Sequence, residues 1–378
     1  MDTYLDFENI RSCNDQEINP ILRKITSEPV FYNVLNYFFP DRPNDEIISE
    51  LNKITSTKEY QEKFIIKVIQ SALKQTSDGL SCSGFENIDP DKAYLFIANH
   101  RDITLDSAIL QLLLFEHHHQ IPEVSFGSNL LMSELINNAF RVNRTFVVMR
   151  EGSNREMLNN SKQLSAYIRH SITQRNTSLW IAQRNGRTKD GNDKTEPGLL
   201  KMLNMSGSKS FSENFTELNI VPVSISYEYE PCDLMKVKEL LASKNSEYKK
   251  SPDEDLHSVV KGITQQKGRI HLSIGEPVYD VLNEIEDRTN NNKFAKLREI
   301  IDRQISGNYK LWKTNYIAFD LLNNDNKYID FYSFEEKEAF KEYISKRLSD
   351  IKKDKKTVEE MFLNIYAKPV ENKEINAK

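Results

Sequence analysis

Apolar residues in the first part of the chain recur with the spacing of a helix. Between Ile18 and Gln75 they follow three- and four-residue steps, most clearly from Phe64 to Leu73, and Pro40 with Pro43 separates two helices. The following residues, 76–90, contain glycines and an Asp-Pro pair, which are typical of a linker. The first part of the chain is therefore predicted to be helical and to end in a linker.

A different pattern begins at Lys92, where short apolar runs rich in β-branched and aromatic residues alternate with helical stretches. The predicted strands are Tyr94–Ala98, Val124–Gly127, Thr145–Met149, Ser178–Ala182, Ile220–Tyr227 and Arg269–Ile274. The predicted helices are Asp106–Glu116, Leu131–Phe140, Asn154–Ile172 and Pro197–Met205. This alternation predicts an α/β fold with a mixed, largely parallel sheet flanked by helices.

After Pro277 the pattern is helical and strongly charged again. Three helices are predicted there: Phe294–Ile305, Phe334–Leu348 and Val358–Ile365. We therefore predict a helical region at residues 1–80, an α/β catalytic domain at 81–285 and a helical region at 286–378.

Length and composition restrict the class of protein. The 378 residues suffice for a large core and one to three domains. A net charge of -5 and a mean hydropathy of -0.60 disfavour a nucleic-acid-binding or an integral membrane protein, and no run approaches the roughly 18 apolar residues of a transmembrane helix. Residues 1–6 show no basic or apolar part of a secretory signal. Three scattered cysteines (Cys13, Cys82 and Cys232) suit a reducing cytoplasm.

Positive charge is concentrated in the middle of this acidic chain. Residues 91–205 contain 14 Lys and Arg against 11 Asp and Glu, a balance of +3, so the remainder carries -8. A basic middle predicts an anionic ligand in the α/β domain.

The first candidate site follows the first predicted strand of that domain. His100 comes directly after the strand, and Asp106 begins the apolar helix that follows. Ligands of open α/β sheets bind at the carboxyl ends of strands. A carboxylate beside a histidine fixes the tautomer and orientation of the ring, which then acts as a general base. The alternative is a helix-capping Asp beside an exposed His.

Further cations lie at the ends of other strands. Arg141, Arg144 and Arg150 flank the strand Thr145–Met149, and Arg150 stands at its carboxyl end. An arginine fork binds phosphate with two hydrogen bonds. The alternative is a cluster of solvated arginines.

The loop after the strand Ser178–Ala182 combines positive charge with two glycines, Gly186 and Gly191, which permit close approach of the backbone. Its cations are Arg184, Arg187 and Lys189. Pro222, inside the strand Ile220–Tyr227, marks an edge or a bulge that shapes the wall of a cleft. Ordinary turns and an ordinary edge strand are the alternatives.

Taken together and in this order, four blocks resemble the glycerolipid acyltransferase family, which includes glycerol-3-phosphate and lysophosphatidic acid acyltransferases. Residues 99–106 resemble its His-and-Asp block, and residues 146–150 its aromatic-apolar-Arg block. Residues 185–188 resemble its Glu-Gly-Thr-Arg type block, and residues 221–223 its apolar-Pro block. The resemblance covers roughly residues 85–280.

Two positions depart from the family pattern. The family has four residues between its His and Asp, whereas five separate His100 from Asp106, so the partner is either Asp106, which we prefer, or Asp102. Asn185 stands where the family has Glu, unless Arg184 occupies that place, and the change affects how the acceptor is held.

The resemblance implies a general-base mechanism for the transfer of an acyl group. His100, supported by Asp106, deprotonates the acceptor hydroxyl, which attacks the thioester of acyl-CoA or acyl carrier protein. The implied substrate-binding residues are Arg150, Arg184, Asn185, Gly186, Arg187, Lys189 and Pro222. No metal and no cofactor is expected.

The implied acceptors are glycerol 3-phosphate or lysophosphatidic acid, in phospholipid biosynthesis. A lipid product implies a membrane surface as partner, with the protein cytoplasmic and peripherally associated with the inner face of the membrane, and no nucleic acid. The aromatic stretch Phe31–Phe39 is interpreted as packed core more readily than as a membrane contact. The triplet His117–His119 does not face one metal centre, because neighbouring residues of a helix diverge.

Two other functions stay open. One is a non-catalytic protein of the same scaffold that binds a lipid or an acyl carrier, which Asn185 favours. The other is an O-acyltransferase that acts on another lipid hydroxyl, such as that of an acylated amino acid.

Overall fold

A computed structural model describes residues 6–131, 133–245, 251, 253–352 and 354–376. Residues 1–5, on which most of the prediction about a secretory signal rests, lie outside them. Helices precede the sheet: α1 Asp15–Ser27, α2 Pro29–Phe38, α3 Asn44–Leu51, the short α4 Thr57–Tyr60, a π-helical turn at Gln61–Ile65, and α5 Ile66–Thr76. Pro29 occupies the first turn of α2, where its missing N–H costs no hydrogen bond.

Strands and helices then alternate along the chain. The strands are β1 Gly79–Ser83, β2 Leu95–Ala98, β3 Glu123–Gly127, β4 Thr145–Val148, β5 Leu179–Ala182, β6 Ile220–Tyr227 and β7 Arg269–Ile274. The helices of this part are α6 Leu105–Glu116, α7 Glu134–Val142, α8 Asn154–Thr173, α9 Pro197–Asn204, α10 Phe211–Thr216, α11 Asp233–Asn245 and α12 Glu254–Thr264. The remaining helices are α13 Asp280–Ile285, α14 Asn290–Asn308, α15 Lys313–Asn323, α16 Phe334–Leu348 and α17 Lys355–Asn376.

Within the described residues the strands form one sheet in the order β1-β7-β6-β2-β5-β3-β4. Neighbouring strands are parallel except β6 and β7, which are antiparallel. The predicted mixed, largely parallel sheet flanked by helices is confirmed. Because β2 to β5 are parallel, their carboxyl ends meet at one edge, to which the loops after these strands belong.

The sheet is covered on both faces, which explains why its central strands are apolar throughout. Leu95 and Ile97 of β2 pack in one core with α8 and α9, whereas Phe96 and Ala98 pack in the other with α5 and α6. Helix α14 also belongs to the first of these cores.

The structure differs from the predicted elements in two places. Strand β1 lies within the predicted linker, and its residues lack the β-branched side chains that mark a strand; it forms because it pairs with β7 in parallel. Helices α10, α11, α12, α13 and α15 were not predicted. The division at 80/81 falls inside β1, and α14 packs on the sheet, so the three-region division stays a prediction.

The aromatic stretch before the linker belongs mostly to the amino-terminal core. Phe31 and Leu35 are buried there, which confirms the interpretation as packed core for these two residues, whereas Tyr32 is exposed. None of the described helices is long and apolar enough to cross a membrane.

Candidate active site

The loop that carries His100 is fixed to the neighbouring strand by Asn99. The side chain of Asn99 accepts a hydrogen bond from the N–H of Ile225 at 2.8 Å and donates one to its carbonyl oxygen at 3.0 Å. Asn99 therefore extends the pairing of β2 with β6 past the end of β2, and His100 emerges at the carboxyl edge of the sheet.

His100 and Asp106 are in direct contact. Nδ1 of His100 lies 2.9 Å from Oδ2 of Asp106, and the ring of Trp180 packs edge-on against the imidazole at 5.7 Å between centroids. The His100 side chain is 12% exposed and that of Asp106 is 1% exposed. No described group forms a hydrogen bond with Nε2. A carboxylate partner assigns the proton to Nδ1, so Nε2 carries the free lone pair of a base.

Asp106 receives three more hydrogen bonds. The N–H groups of Arg101 and Asp102 donate to Oδ2 at 2.6 and 2.9 Å, and the Tyr227 hydroxyl donates to Oδ1 at 2.7 Å. Burial, followed by the negative charge of Asp106, raises the pKa of Tyr227, so this phenol remains a donor. The contacts hold the carboxylate in one orientation toward His100, as a positioning group must be held. No pattern in the sequence indicated the role of Tyr227.

Asp102, the alternative partner of His100, has a different role. Its Oδ1 accepts hydrogen bonds from the N–H groups of Thr104 and Leu105 at 2.9 and 2.8 Å, which satisfies donors at the start of α6. Its Oδ2 packs against Gly262 of α12, where an added Cβ would lie 2.0 Å from that oxygen. Burial, and then the charge of Asp106, raises the pKa of Asp102. The geometry therefore selects Asp106 as the partner, although five residues separate it from His100.

Arg101, which no sequence pattern indicated, holds the His100 loop in place through a buried ionic network. Its side chain is 0% exposed and forms ion pairs with Asp193 at 2.5 Å and with Glu230 at 3.4 Å. Its carbonyl oxygen accepts a hydrogen bond from Lys236, which also pairs with Glu230. The guanidinium lies over the ring of Tyr309, 5.4 Å from its centroid. Two buried cations thus face two buried carboxylates directly beneath the His100 loop.

The three arginines that flank β4 lie in different parts of the structure. Arg141 pairs with Glu17 at 3.6 Å, on the amino-terminal side of the chain. Arg144 lies at the amino end of β4, away from His100, whereas Arg150 follows its carboxyl end, and the Arg150 N–H donates to Ser128. Burial lowers the pKa of Arg150. Only Arg150 of the three is at the edge that carries His100.

The loop after β5 contacts the backbone at His100. The N–H of Gln183 donates to the carbonyl oxygen of Ala98 at 2.8 Å, and the N–H of Thr188 donates to that of His100 at 2.7 Å. Gly186 has a φ of +74°, a conformation that favours glycine. Ala98 and Ala182 are paired in register, so His100 and Arg184 each lie two residues beyond a paired position.

A groove of about 270 Å³ opens at this edge, and three of the predicted substrate-binding residues line it: Arg150, Arg184 and Asn185. Its apolar lining comes from β4, β5, α8 and α9 and includes Val148, Met157, Leu164, Ile181, Leu199 and Met202. Asn185 is exposed. His100 does not line the groove itself, although it lies at the same edge of the sheet.

The structure does not bring the other predicted substrate-binding residues into the groove. Arg187 is buried and donates to Ser258 of α12 at 3.1 Å, and Lys189 pairs with Glu239 of α11. Pro222 is buried in the centre of the sheet, next to Ile97, and is not an edge residue. The predicted edge position of Pro222 is wrong, because β6 pairs with β2 on one side and with β7 on the other, whereas its role in substrate binding stays a prediction.

The histidines of the His117–His119 triplet lie in different surroundings. His117 stacks on Phe85 with ring centroids 3.9 Å apart, and His118 has a φ of +62°. Burial lowers the pKa of His119. Across the described residues, no group of three or more His, Cys, Asp or Glu side chains is arranged to hold a metal ion.

The chain is similar to known proteins in part of its sequence and in its structure. No curated relative matches the chain in sequence. Among solved structures, the chain is similar to the 1-acyl-sn-glycerophosphate (LPA) acyltransferase PlsC from Thermotoga maritima, with 15% sequence identity and a TM-score of 0.37, over 75% of this chain and 95% of that chain. Residues 79–226, which include β1 to β6 and both His100 and Asp106, match the model of the Acyltransferase family. Residues 79–226 are therefore similar to the Acyltransferase family.

Proposed function

We propose that the protein is an O-acyltransferase that moves a fatty acyl group from acyl-CoA or acyl carrier protein to glycerol 3-phosphate or lysophosphatidic acid, in phospholipid biosynthesis. The observation that carries this proposal is the contact between His100 and Asp106, because it leaves Nε2 free to act as a base at the edge of the sheet. The family of residues 79–226 supports the transfer of an acyl group.

The proposed reaction uses His100 as a general base. Nε2 of His100 accepts the proton of the acceptor hydroxyl, while the oxygen of that hydroxyl attacks the carbonyl carbon of the thioester. The tetrahedral intermediate then collapses, the carbon–sulfur bond breaks, and the imidazolium returns the proton to the departing thiolate. Asp106 stabilises the imidazolium between these steps and keeps the ring oriented. The acceptor oxygen attacks directly, so the mechanism uses no nucleophile of the enzyme.

The groove supplies a place for an acceptor with an anionic end. Arg150 and Arg184 present positive charge at the edge where the His100 loop lies, and a phosphate there accepts hydrogen bonds from both guanidinium groups. Arg184 joins the two parts of the proposed site, because it lines the groove and follows the strand next to that of His100. We propose that the apolar lining contacts the hydrocarbon part of a substrate.

Replacing Arg150 with Ala is expected to raise the Michaelis constant for the phosphorylated acceptor at least tenfold, since a hydrogen bond to a charged group contributes about 1.5–3 kcal/mol. The Michaelis constant for the acyl donor should change much less. Initial rates measured while each substrate is varied in turn check this expectation. A larger effect on the donor would assign the phosphate site to other residues.

The nature of the acceptor is tested by mass spectrometry of the products. One long-chain acyl thioester is incubated with the native protein and, in separate reactions, with glycerol 3-phosphate, lysophosphatidic acid and a lipid carrying an acylated amino acid. We expect an ester of one of the two glycerophosphates. An ester of the amino-acid lipid alone would replace the proposed acceptor, and thioester hydrolysis without any ester would contradict acyl transfer to these alcohols.

We also propose that the protein is cytoplasmic and binds peripherally to the inner face of the membrane, because the proposed product is a lipid. Helix α2 exposes Val30, Tyr32 and Val34 outside the amino-terminal core, which provides an apolar contact. Sedimentation with phospholipid vesicles should carry the native protein into the pellet. Retention of all the protein in the supernatant would contradict a membrane contact.

A further inference from the structure

A second cavity lies at the opposite edge of the sheet, beside the amino ends of β3 and β4. Its volume is about 430 Å³, and its lining combines the amino-terminal segment around Ser12, the beginning of β3 at Glu123, Arg144 before β4, and the end of α8. Because β2 to β4 run in the same sense, this edge is the one farthest along the strands from His100. The cavity is therefore separate from the groove at Arg150.

The buried carboxylate of this cavity already has its full set of donors. Glu123 accepts hydrogen bonds from the hydroxyl groups of Ser12 at 2.9 Å and Tyr167 at 2.5 Å, and it pairs with Arg175 at 2.7 Å. These contacts neutralise Glu123 within the cavity wall. The negative charge of Glu123 is therefore paired with Arg175 and not with Arg144.

The other charged groups of the lining are also matched. Asp15 accepts hydrogen bonds from the N–H and the hydroxyl of Thr57 at 2.8 and 3.1 Å. Arg11 pairs with Glu8 at 2.6 Å and with Glu17 at 2.7 Å. Each of these side chains has a partner inside the protein.

Arg144 is the exception. It lines the cavity, its Nε is inaccessible to solvent, and no hydrogen bond or ion pair joins its guanidinium to another described group. The guanidinium remains charged in proteins, so it cannot reduce the cost of burial by losing its proton. Arg144 is partly buried, and taking a cation out of water is unfavourable unless an anion compensates it. Burial lowers the pKa of Arg144, while the charges of Glu123 and Asp15 act in the opposite direction without forming an ion pair with it.

We infer that this cavity is a binding site for a small anion, a phosphate or carboxylate compound, which pairs with the guanidinium of Arg144. The volume is in the range of small-molecule sites, roughly 300–1,000 Å³, and an arginine fork binds either group with two hydrogen bonds. The bound anion lies between the amino-terminal segment and the sheet. Its occupancy fastens residues 7–15 to the catalytic domain, and this site is independent of the acceptor site proposed above.

Binding of inorganic phosphate to the intact protein tests this inference. Thermal unfolding and calorimetric titration are compared for the native protein, Arg144→Met and Arg150→Ala, at constant ionic strength set with chloride. Phosphate should raise the melting temperature of the native protein and of Arg150→Ala, because ligands that bind only the folded state stabilise it. Arg144→Met should lose the calorimetric binding event that Arg150→Ala retains, because phosphate should bind this cavity at least tenfold more weakly, and without phosphate the variant should melt at or above the native temperature.

Equal responses of the native protein and Arg144→Met to phosphate would overturn the inference, as would a response lost only in Arg150→Ala. If Arg144→Met does not fold, crystals of the native protein soaked in selenate give a second measurement. An anomalous selenium peak in contact with the Arg144 guanidinium supports the site. A peak confined to the groove at Arg150, or none in the second cavity, overturns it.

Discussion

Replacing His100 with Ala is expected to lower kcat for acyl transfer by about 10²- to 10⁴-fold, the usual contribution of a general base. The ring is the only group lost, and its contacts are the Asp106 carboxylate and the edge of Trp180, so the fold should persist. Thiol release from a long-chain acyl thioester in the presence of glycerol 3-phosphate measures the effect. Equal background rates for the native protein and the variant would instead favour the non-catalytic binding protein.

The variant Asp106→Asn removes the negative charge of the His100–Asp106 pair while the shape of the side chain is kept. The amide has the same shape, its oxygen accepts the N–H bonds of Arg101 and Asp102, and its nitrogen donates to the hydroxyl oxygen of Tyr227. Melting should therefore change little, whereas kcat should fall by a factor of the same order as in His100→Ala, because the imidazolium loses its counter-charge. Native activity in Asp106→Asn would show that the carboxylate does not support His100.

The largest loss of stability is expected for Arg101→Met. Removal of one member of a buried ionic network leaves charge uncompensated and typically lowers the free energy of unfolding by about 3–5 kcal/mol. Here Asp193 loses its ion pair with Arg101, and Glu230 keeps only its pair with Lys236. The N–H of Arg101 also bonds to Asp106, so activity should fall at temperatures where the variant is still folded. Urea unfolding followed by circular dichroism measures the first effect.

Arg269→Met is a suitable comparison, because Arg269 also forms an ion pair, with Glu228, but its side chain is 49% exposed. Exposed pairs contribute about 0–1 kcal/mol. If Arg101→Met loses no more stability than Arg269→Met, the network beneath the His100 loop does not hold that loop in place.

Much of the α/β domain follows from local patterns. Strands such as β2 and β5 are apolar on both faces because helices cover both sides of the sheet, and a continuous apolar run shows this in the sequence. Strand β1 has no such run, with alternate residues exposed, and exists through its pairing with β7 about 190 residues later. The contacts that define it lie outside the reach of a local pattern.

In the candidate site, too, contacts between residues close in sequence could be predicted, whereas contacts between distant elements could not. His100 and Asp106 are six positions apart, across a strand end and the first turn of a helix, so their contact could be predicted from the sequence. Their roles in catalysis, like those of the substrate-binding residues, stay predictions. Tyr227 and the partners of Arg101 lie on distant elements, and no spacing in the sequence joins them.

Arg187 and Lys189 show that the sequence of a charged loop does not predict the direction of its side chains. The sequence shows that cations follow β5 but not which side chains turn toward the groove. Their partners, Ser258 and Glu239, belong to α12 and α11, two helices that the pattern did not predict. The groove therefore contains Arg184 from this loop, while the two later cations are bound to the surrounding structure.

The most direct test of the account is a crystal structure of the protein with glycerol 3-phosphate bound in the absence of an acyl donor. A hydroxyl of the ligand should lie within about 2.6–3.2 Å of Nε2 of His100, with the phosphate of the ligand in contact with Arg150 or Arg184. A phosphate bound away from both arginines, with every hydroxyl beyond hydrogen-bond distance of His100, would contradict it.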